Sequence, residues 1–374
     1  MNIHRPSWRG RFLDRFLALF LLVVTTAGAA EDLVFAVSLI RHGDRAPYAK
    51  LEGGVLPDDW PEGIGELTPE GMRQELDLGR RMRQRYVDTL GLLPPRYRPD
   101  AVAVLSTSAN RTVMSAQCFL AGLYPDGTGP RLDNGAPALP DLRQPVPIMT
   151  IPRGVPNLIN PEHEDADKVQ ELIVRYGFVQ PAWQRMERDL AGDLRRWGRI
   201  LGVPVRNLND FLVPADHVYC RWVHGKPLPK DLRKADLERI IATKMRACAI
   251  RFVPKELARH MASGFLRALD ADLQAVASGK GKVRCKLYFG HDDSILGLMS
   301  ALDRPLENNP SYASHIDFEL YRDGDAFLVR TFFNGTPVPL TRENRETVSL
   351  ADFHEFLGPW LVAAEAGGAG VSAH

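Results

Sequence analysis

The stretch DLVFAVSLIRHGDRAP, residues 32–47, joins a nearly continuous apolar run to a short segment crowded with charge. The run from Asp32 to Ile40 is rich in Val, Leu and Ile, which is typical of a strand buried on both faces inside a parallel sheet. Residues 41–45 then bring together two arginines, a histidine and an aspartate. A buried strand that ends in this much positive charge predicts an anion site at its carboxyl end.

Two other segments also place a strand before a helix. Residues 101–124, AVAVLSTSANRTVMSAQCFLAGLY, predict a strand to Leu105, a polar loop and a helix from about Arg111. Residues 283–303, VRCKLYFGHDDSILGLMSALD, predict a strand to Phe289, a turn and an apolar helix. This alternation predicts an α/β fold, with a parallel-rich central sheet flanked by helices and a smaller all-helical insertion domain.

Local signals fix further elements and turns. A helix is predicted within residues 67–90, with Thr68 as its N-cap, and a hairpin within residues 315–337 that turns at Asp323-Gly324. In the charged segment, Gly43 is expected to permit a tight turn and Asp44 to brace a neighbouring arginine.

The chain divides into four parts by the character of its sequence. We predict a signal peptide (1–30), a discontinuous α/β domain (31–155 plus 283–362), a helical insertion (156–282) and a flexible, Gly/Ala-rich tail (363–374). The first part has a basic beginning, a short apolar run and small residues at Ala27 and Ala29. Its nine strongly apolar residues, 16–24, are fewer than the about 20 that span a bilayer. We therefore expect export to the periplasm or the outside, without a stable membrane anchor.

Composition limits the binding partners and the redox chemistry. The 374 residues carry a net charge of +1, which gives no general attraction to nucleic acid or anionic membranes. An exported chain with four cysteines permits two disulfides, and Cys220 with Cys248 is the favoured pair; Cys118 is expected to be a buried free thiol. The cysteines form no C-x-x-C pair, so the sequence does not indicate a zinc site.

Three predicted strand ends carry polar clusters, at residues 41–45, 106–111 and 291–294. Ligands of parallel α/β sheets bind outside the carboxyl ends of strands, so these clusters are expected to face one crevice. Phosphoryl transfer requires fixed cations, because negative charge spreads over the oxygens in its transition state. The candidate site residues are Arg41, His42, Arg45, Arg111, His291 and Asp292.

The motif RHGDRAP, together with the distant GHDDSILGLMSAL, resembles the histidine acid phosphatases, the second branch of the histidine phosphatase superfamily, which also includes phytases. The likeness extends to GELTPEGMRQELDLGRRMRQRY, LSTSANRTVMSAQCFL, VYCRWVHGKPLP and NNPSYASHIDFELY, and so covers most of the α/β domain but only part of the insertion. It implies hydrolysis of small phosphomonoesters at acidic pH through a phosphohistidine, with no metal or other cofactor. It also allows a homodimer.

The resemblance implies a role for each candidate residue. His42 would be the nucleophile, and nearby guanidinium groups are expected to lower its pKa and keep it neutral. Its Nδ1–H is expected to bond a backbone carbonyl, leaving Nε2 to attack. Asp292 would protonate the leaving alcohol, and His291 would donate to the phosphoryl oxygens. The clamp would consist of Arg41, Arg45 and Arg111.

One position departs from the family pattern, which usually has a hydroxyl residue directly after the H-D pair. Asp293 stands there, and a solvated charge at a helix N-terminus is the preferred interpretation. A carboxylate that binds a substrate cation, or that raises the pKa of Asp292, is the alternative. Tyr48 and Trp60 are expected either to line the leaving-group pocket or to pack in the core.

Other functions stay open beside the general acid phosphatase. A phytase would use the same chemistry on a polyanionic substrate, but residues 48–63, YAKLEGGVLPDDWPEG, are more acidic than basic. A phosphomutase would use the same phosphohistidine, but export argues against it. A catalytically dead phospholigand-binding protein is disfavoured because every expected catalytic residue is present.

Overall fold

The apolar run that begins at Asp32 becomes the central strand of a mixed sheet. The computed structural model describes residues 31–151, 158–159, 166–340 and 344–361; the predicted signal peptide and tail lie outside them. Within this part the strands are β1 (Asp32–Arg41), β2 (Val102–Thr107), β3 (Met149–Ile151), β4 (Cys285–Gly290), β5 (His315–Asp323), β6 (Ala326–Phe333), β7 (Thr336–Pro337) and β8 (Thr347–Ser349).

The sheet has a parallel half and an antiparallel half. Its order is β3-β2-β4-β1-β5-β6-β7, and β8 pairs with β6. The strands β3, β2, β4 and β1 are mutually parallel, whereas β5 and β6 run antiparallel to their neighbours. The predicted hairpin is present, because Asp323 pairs with Ala326 and Gly324 turns the chain with a φ of +60°. The predicted parallel-rich central sheet is therefore confirmed, with an antiparallel extension.

Helices cover both faces of the sheet. In the described chain they are α1 (Pro69–Arg83), α2 (Asn110–Leu123), α3 (Ala166–Leu172), α4 (Pro181–Leu201), α5 (Leu208–Val223), α6 (Lys234–Ile250), α7 (Lys255–Ala277), α8 (Asp292–Ala301) and α9 (Leu350–Leu361). Thr68 caps α1 as predicted, because its hydroxyl accepts a hydrogen bond from the Gly71 N–H at 3.2 Å. None of the helices in the described ranges is both long and apolar enough to cross a membrane.

Strand β1 supplies side chains to two separate cores, as its period of two requires. Ala36 and Ile40 pack with α1 and α2 on one face. Val37 and Leu39 pack with α7, α8 and α9 on the other face. Both faces of β1 are thus covered, which explains why its sequence is apolar almost throughout.

The helices α4, α5 and α6 form a core of their own around Trp197, Phe211 and Ile240. They lie inside the helical insertion predicted at 156–282. Helix α7 lies inside the same range but packs on the sheet through Leu266 and Leu273. The domain boundaries stay a prediction: α7 packs on the sheet, and its Leu257 and Met261 also share a hydrophobic cluster with α3 and α6.

The expected disulfides are not formed. Cys118, Cys220, Cys248 and Cys285 are all free thiols. Cys220 packs beside Ala46 and Trp60, whereas Cys248 packs against the core of α4–α6. The favoured pair was inferred from closeness in sequence, but its two side chains face different clusters.

Candidate active site

The three predicted polar clusters follow neighbouring strands. Strand β4 lies between β1 and β2, with Arg41 beside Gly290 and Ser106 beside Phe289. The three strands are parallel and end at the same level, so the chain that follows each one enters the same crevice. The N–H of His42 also donates to the Gly290 carbonyl at 3.0 Å, which ties the first cluster to the third.

Arg41, which is buried, and Asp292, which is partly exposed, form an ion pair in this crevice. The Nη2 of Arg41 lies 2.9 Å from Oδ2 of Asp292, and the amide of Asn309 donates to the same oxygen at 2.7 Å. Arg41 also donates to the Pro310 carbonyl, and its guanidinium lies 4.3 Å from the ring centre of Tyr312. These contacts hold the side chains of Arg41 and Asp292 in fixed positions.

His42 is buried, with only 1% of its surface exposed. Its Nδ1 lies 2.7 Å from the Gly43 carbonyl, which can only accept, so Nδ1 donates and the lone pair is on Nε2. Burial, and then the charges of Arg111, Arg41 and Arg45, hold the pKa of His42 well below its ordinary value, against the opposing bond to Gly43. The expected tautomer and lowered pKa are both present.

His291 stands beside His42, with 5.4 Å between the ring centres. An N–H of Arg111 donates to His291 Nδ1 at 3.1 Å, and the hydroxyl of Thr107 lies 3.0 Å from Nε2. Both ring nitrogens are therefore engaged. The predicted donation from His291 to a phosphoryl oxygen requires one of these contacts to open, and in the present arrangement His291 positions Arg111.

The side chain of Arg45 is fixed by a carboxylate from the helical part of the chain. Its Nη1 donates to the Ala46 carbonyl at 3.0 Å and to Oδ2 of Asp216, on α5, at 2.9 Å. Its guanidinium lies 5.3 Å from the ring centre of Tyr48, which is 44% exposed. Trp60 is 7% exposed and packs edge-on against a histidine, so it belongs to the core.

Asp44 does not brace an arginine as expected. Its Oδ2 accepts a hydrogen bond from the hydroxyl of Thr68 at 2.5 Å and lies 2.6 Å from Nε2 of His224. Asp44 therefore ties the charged segment to the N-terminus of α1 and the end of α5. The sequence prediction was wrong because both arginines of the segment point to distant carboxylates.

Glycine is required at position 43 for a reason other than the expected tight turn. Its φ is not positive, but a Cβ at this position would collide with the backbone of Gly71. A Cβ on Gly71 would in turn collide with the backbone of Asp44. The two glycines let the charged segment lie directly on the first turn of α1.

The two aspartates that begin α8 differ in environment. Burial raises the pKa of Asp292, but the charges of Arg41 and Arg45 and the bond from Asn309 outweigh it, so this pKa lies well below its ordinary value. Asp293 is only 4% exposed, and its Oδ1 accepts from the Ser294 N–H at 2.7 Å. The expectation that Asp293 is solvated is wrong, and the lowered pKa of Asp292 argues against the alternative that Asp293 raises it.

All six predicted residues meet in this crevice, and the structure adds partners that sequence reasoning missed. Asn309 and Tyr312 lie in the NNPSY stretch that carried part of the resemblance, but no pattern assigned them a role. Asp216 comes just before another such stretch, VYCRWVHGKPLP. Only the folded chain brings these residues to the strand ends. Within the described residues, no group of three or more His, Cys, Asp or Glu is placed to hold a metal ion.

The model of the histidine phosphatase superfamily (branch 2) matches residues 32–170 and 245–334, more than half of the chain. The chain belongs to this superfamily. Residues 171–244, which contain α4, α5 and most of α6, are not matched. The family model thus covers most of the sheet and the polar loops that follow its strands, whereas the unmatched segment contains Asp216.

Curated relatives are acid phosphatases. Human testicular acid phosphatase is 31% identical to this chain over 351 residues, covering 87% of this chain and 79% of that protein. Human lysosomal acid phosphatase is 29% identical, covering 90% of this chain and 80% of that protein.

Solved structures with the same fold include bacterial phytases. The phytase of Klebsiella sp. ASR1 is similar with a TM-score of 0.62 and 19% identity, covering 81% of this chain and 83% of that chain. The apo form of Hafnia alvei phytase has a TM-score of 0.61 and 16% identity, covering 90% of this chain and 98% of that chain. At such identities the likeness concerns the fold alone.

Proposed function

We propose that the protein is an acid phosphatase that hydrolyses phosphomonoesters through a phosphohistidine on His42. The observation that carries the proposal is a buried, neutral imidazole whose Nδ1 is bound to a backbone carbonyl, surrounded by three arginines. A neutral Nε2 is the form that can attack phosphorus. The arginines provide the cations that stabilise the equatorial oxygens in the transition state.

The first step transfers the phosphoryl group to the enzyme. The lone pair of His42 Nε2 forms the N–P bond while the P–O bond to the alcohol breaks. Asp292 gives its proton to the departing oxygen, so the alcohol leaves neutral. In the second step Asp292 takes a proton from water, whose oxygen attacks phosphorus and releases inorganic phosphate and His42.

The proton on Asp292 has to arrive with the substrate. Arg41 and Arg45 keep the pKa of this carboxyl low in the free protein, so it is ionised there. A bound phosphate neutralises the same arginines and adds negative charge, and both effects favour the protonated carboxyl. A phosphomonoester monoanion carries a proton below its second pKa of about 6, which favours turnover in acid.

A general phosphomonoesterase is favoured over a phytase. The loop after Pro47 is more acidic than basic, and its Asp59 pairs with Arg221 at 2.5 Å and lies 3.5 Å from Lys226. These pairs occupy cations that a polyanionic substrate would need. The acid phosphatases among the relatives support the same choice.

Export is part of the proposal. It is based on the basic and apolar pattern of residues 1–30, which lie outside the described residues. The lysosomal name of one relative agrees with it. An intact-mass measurement of exported protein that still contains residues 1–29 would contradict it.

The deciding experiment is a panel of phosphomonoesters, including phytate, assayed between about pH 4 and 7 with and without EDTA, since the clamp and nucleophile need no metal. Monoester hydrolysis that resists EDTA, together with an acid-labile phosphoenzyme absent from His42→Ala, supports the proposal. Turnover by His42→Ala near that of the parent would remove the nucleophile, and preference for phytate would favour the phytase.

A further inference from the structure

Behind Arg45 lies a cluster of buried charges contributed by the helical part of the chain. Asp216 on α5 is 1% exposed, and Lys244 on α6 is 4% exposed. Oδ2 of Asp216 accepts from Arg45 and from the Tyr48 N–H at 2.9 and 3.0 Å, while Oδ1 lies 3.2 Å from Nζ of Lys244. One carboxylate is therefore shared between two cations.

Asp216 has a cationic partner without Lys244, because Arg45 reaches both of its oxygens, Oδ2 at 2.9 Å and Oδ1 at 3.5 Å. Two bonds already reach Oδ2, and burying an ammonium group is costly. Lys244 is nevertheless kept charged, because Asp216 raises its pKa despite burial. Its Nζ also lies 4.8 Å from the ring centre of Tyr219. Lys244 thus pairs with Oδ1 of Asp216, and it also adds a second buried positive charge beside Arg45.

This second charge alters the charge balance at Arg45. An isolated Arg45–Asp216 pair has no net charge, so it would attract a phosphate only weakly. With Lys244 the cluster carries a net charge of +1, and Asp216 can hold Arg45 without cancelling its field. The contacts of Arg45 use both N–H groups of Nη1, which leaves Nε and part of Nη2 for a ligand.

We propose that Lys244 is a positioning residue of the phosphate clamp, which counterbalances Asp216 so that Arg45 is fixed and still fully cationic toward phosphate. The inference rests on the proposed phosphatase function. Both Asp216 and Lys244 lie in residues 171–244, outside the segments that match the superfamily model, so the device belongs to the helical part of this chain.

The first test is Lys244→Met, measured by the dissociation constant of inorganic phosphate and by steady-state kinetics. Phosphate carries its charge in both ground and transition states, so the loss should affect both about equally. We expect the phosphate dissociation constant and KM to rise about tenfold, with kcat changing less than about threefold. Lys286→Met, on β4, removes another Lys–Asp pair, the part-buried 2.7 Å contact with Asp272, and should change neither constant.

A double variant separates charge balance from simple structural damage. Asp216→Asn in the Lys244→Met background restores a net charge of +1 on Arg45, so phosphate affinity should recover by about threefold or more. Lys244→Arg keeps the charge and should also bind phosphate better than Lys244→Met. If Lys244→Met does not fold, as judged by circular dichroism, Lys244→Gln takes its place in both comparisons.

Two results would overturn the inference. One is a folded Lys244→Met or Lys244→Gln protein that binds phosphate as tightly as the parent. The other is a double variant that binds no better than the single one. The phosphate dissociation constant is measured without turnover, so this test does not depend on activity. A parent protein that binds phosphate but hydrolyses no monoester would refute the phosphatase function, and the comparison of phosphate affinities could still be made.

Discussion

Arg111 links the charge of the site to the acidity in which it can work. Apart from burial, its charge is the largest influence that lowers the pKa of His42. A protonated His42 cannot attack, so activity is lost as the pH falls through that pKa. In Arg111→Met the pKa of His42 should rise, and the acid limb of kcat/KM should move to higher pH.

The same substitution should lower kcat/KM at its optimum by about 10²–10³, the usual cost of one transition-state donor. A pH–rate profile with a good substrate measures both effects. Arg98→Met is the control, because Arg98 pairs with Asp100 on the surface, where its side chain is 65% exposed. An acid limb that stays in place in Arg111→Met would contradict the electrostatic role.

Asp292 should matter in proportion to the basicity of the leaving group. An alkoxide needs a proton to depart, whereas 4-nitrophenolate does not. In Asp292→Asn, kcat for an alkyl phosphate should fall by about 10²–10⁴, and kcat for 4-nitrophenyl phosphate much less. Steady-state assays with both esters measure this, and Asp77→Asn, at a 44% exposed side chain, is the control. Equal losses for both esters would argue that Asp292 only orients Arg41.

At the scale of elements, α1 and α2 pack closely against each other because glycines lie at their contact. A Cβ on Gly79 would collide with the Phe119 carbonyl, and one on Gly122 with the Leu76 carbonyl. The helices follow β1 and β2 and start beside the crevice, so their approach also sets the position of Arg111 at the start of α2.

Gly122→Ala should destabilise the protein by about 1–3 kcal/mol, since neither backbone can move aside without repacking. Gly192 is the matched control, because it lies in α4 with open space where its Cβ would be. Gly192→Ala should stabilise by about 0.5–1 kcal/mol through helix propensity. Urea unfolding measures both free energies, and a neutral Gly122→Ala would show that the helices can separate.

The strand ends show what the sequence could predict. Two of the polar clusters come directly at the ends of strands that local apolar runs predict to be buried. They contain Arg41, His42, Arg45, His291 and Asp292. Arg111 lies in the first turn of the helix that follows the third such strand. Their convergence follows from one rule about parallel sheets, and the structure brings all of them together.

The remaining parts of the site depend on contacts between distant segments. No local pattern shows that β4 lies between β1 and β2, or that Asp216 reaches Arg45 across 171 positions of sequence. Short strands such as β3 and β7 carry too few residues for a periodic signal.

At the scale of the whole molecule, two buried carboxyl groups change the stability of the fold with pH in opposite directions. Asp216, whose pKa is lowered by Arg45 and Lys244 despite burial, stabilises the fold above its unfolded pKa and ceases to do so in acid. Glu75, on α1, has the opposite effect, because its contribution to stability is lost as the pH rises. Both its carboxyl oxygens are buried without a hydrogen-bond partner among the described residues, and burial raises its pKa well above the ordinary value.

A raised pKa means that folded Glu75 keeps its proton where the unfolded chain has lost it, so stability falls as the pH rises above the ordinary value of 4.5. The slope from this one group is at most about 1.4 kcal/mol per pH unit. Glu75→Gln removes the titration but keeps the shape. Its free energy of unfolding should match the parent near pH 4 and exceed it at pH 7, as measured by urea titrations at both values. Equal differences at the two pH values would mean that folding does not raise the pKa of Glu75.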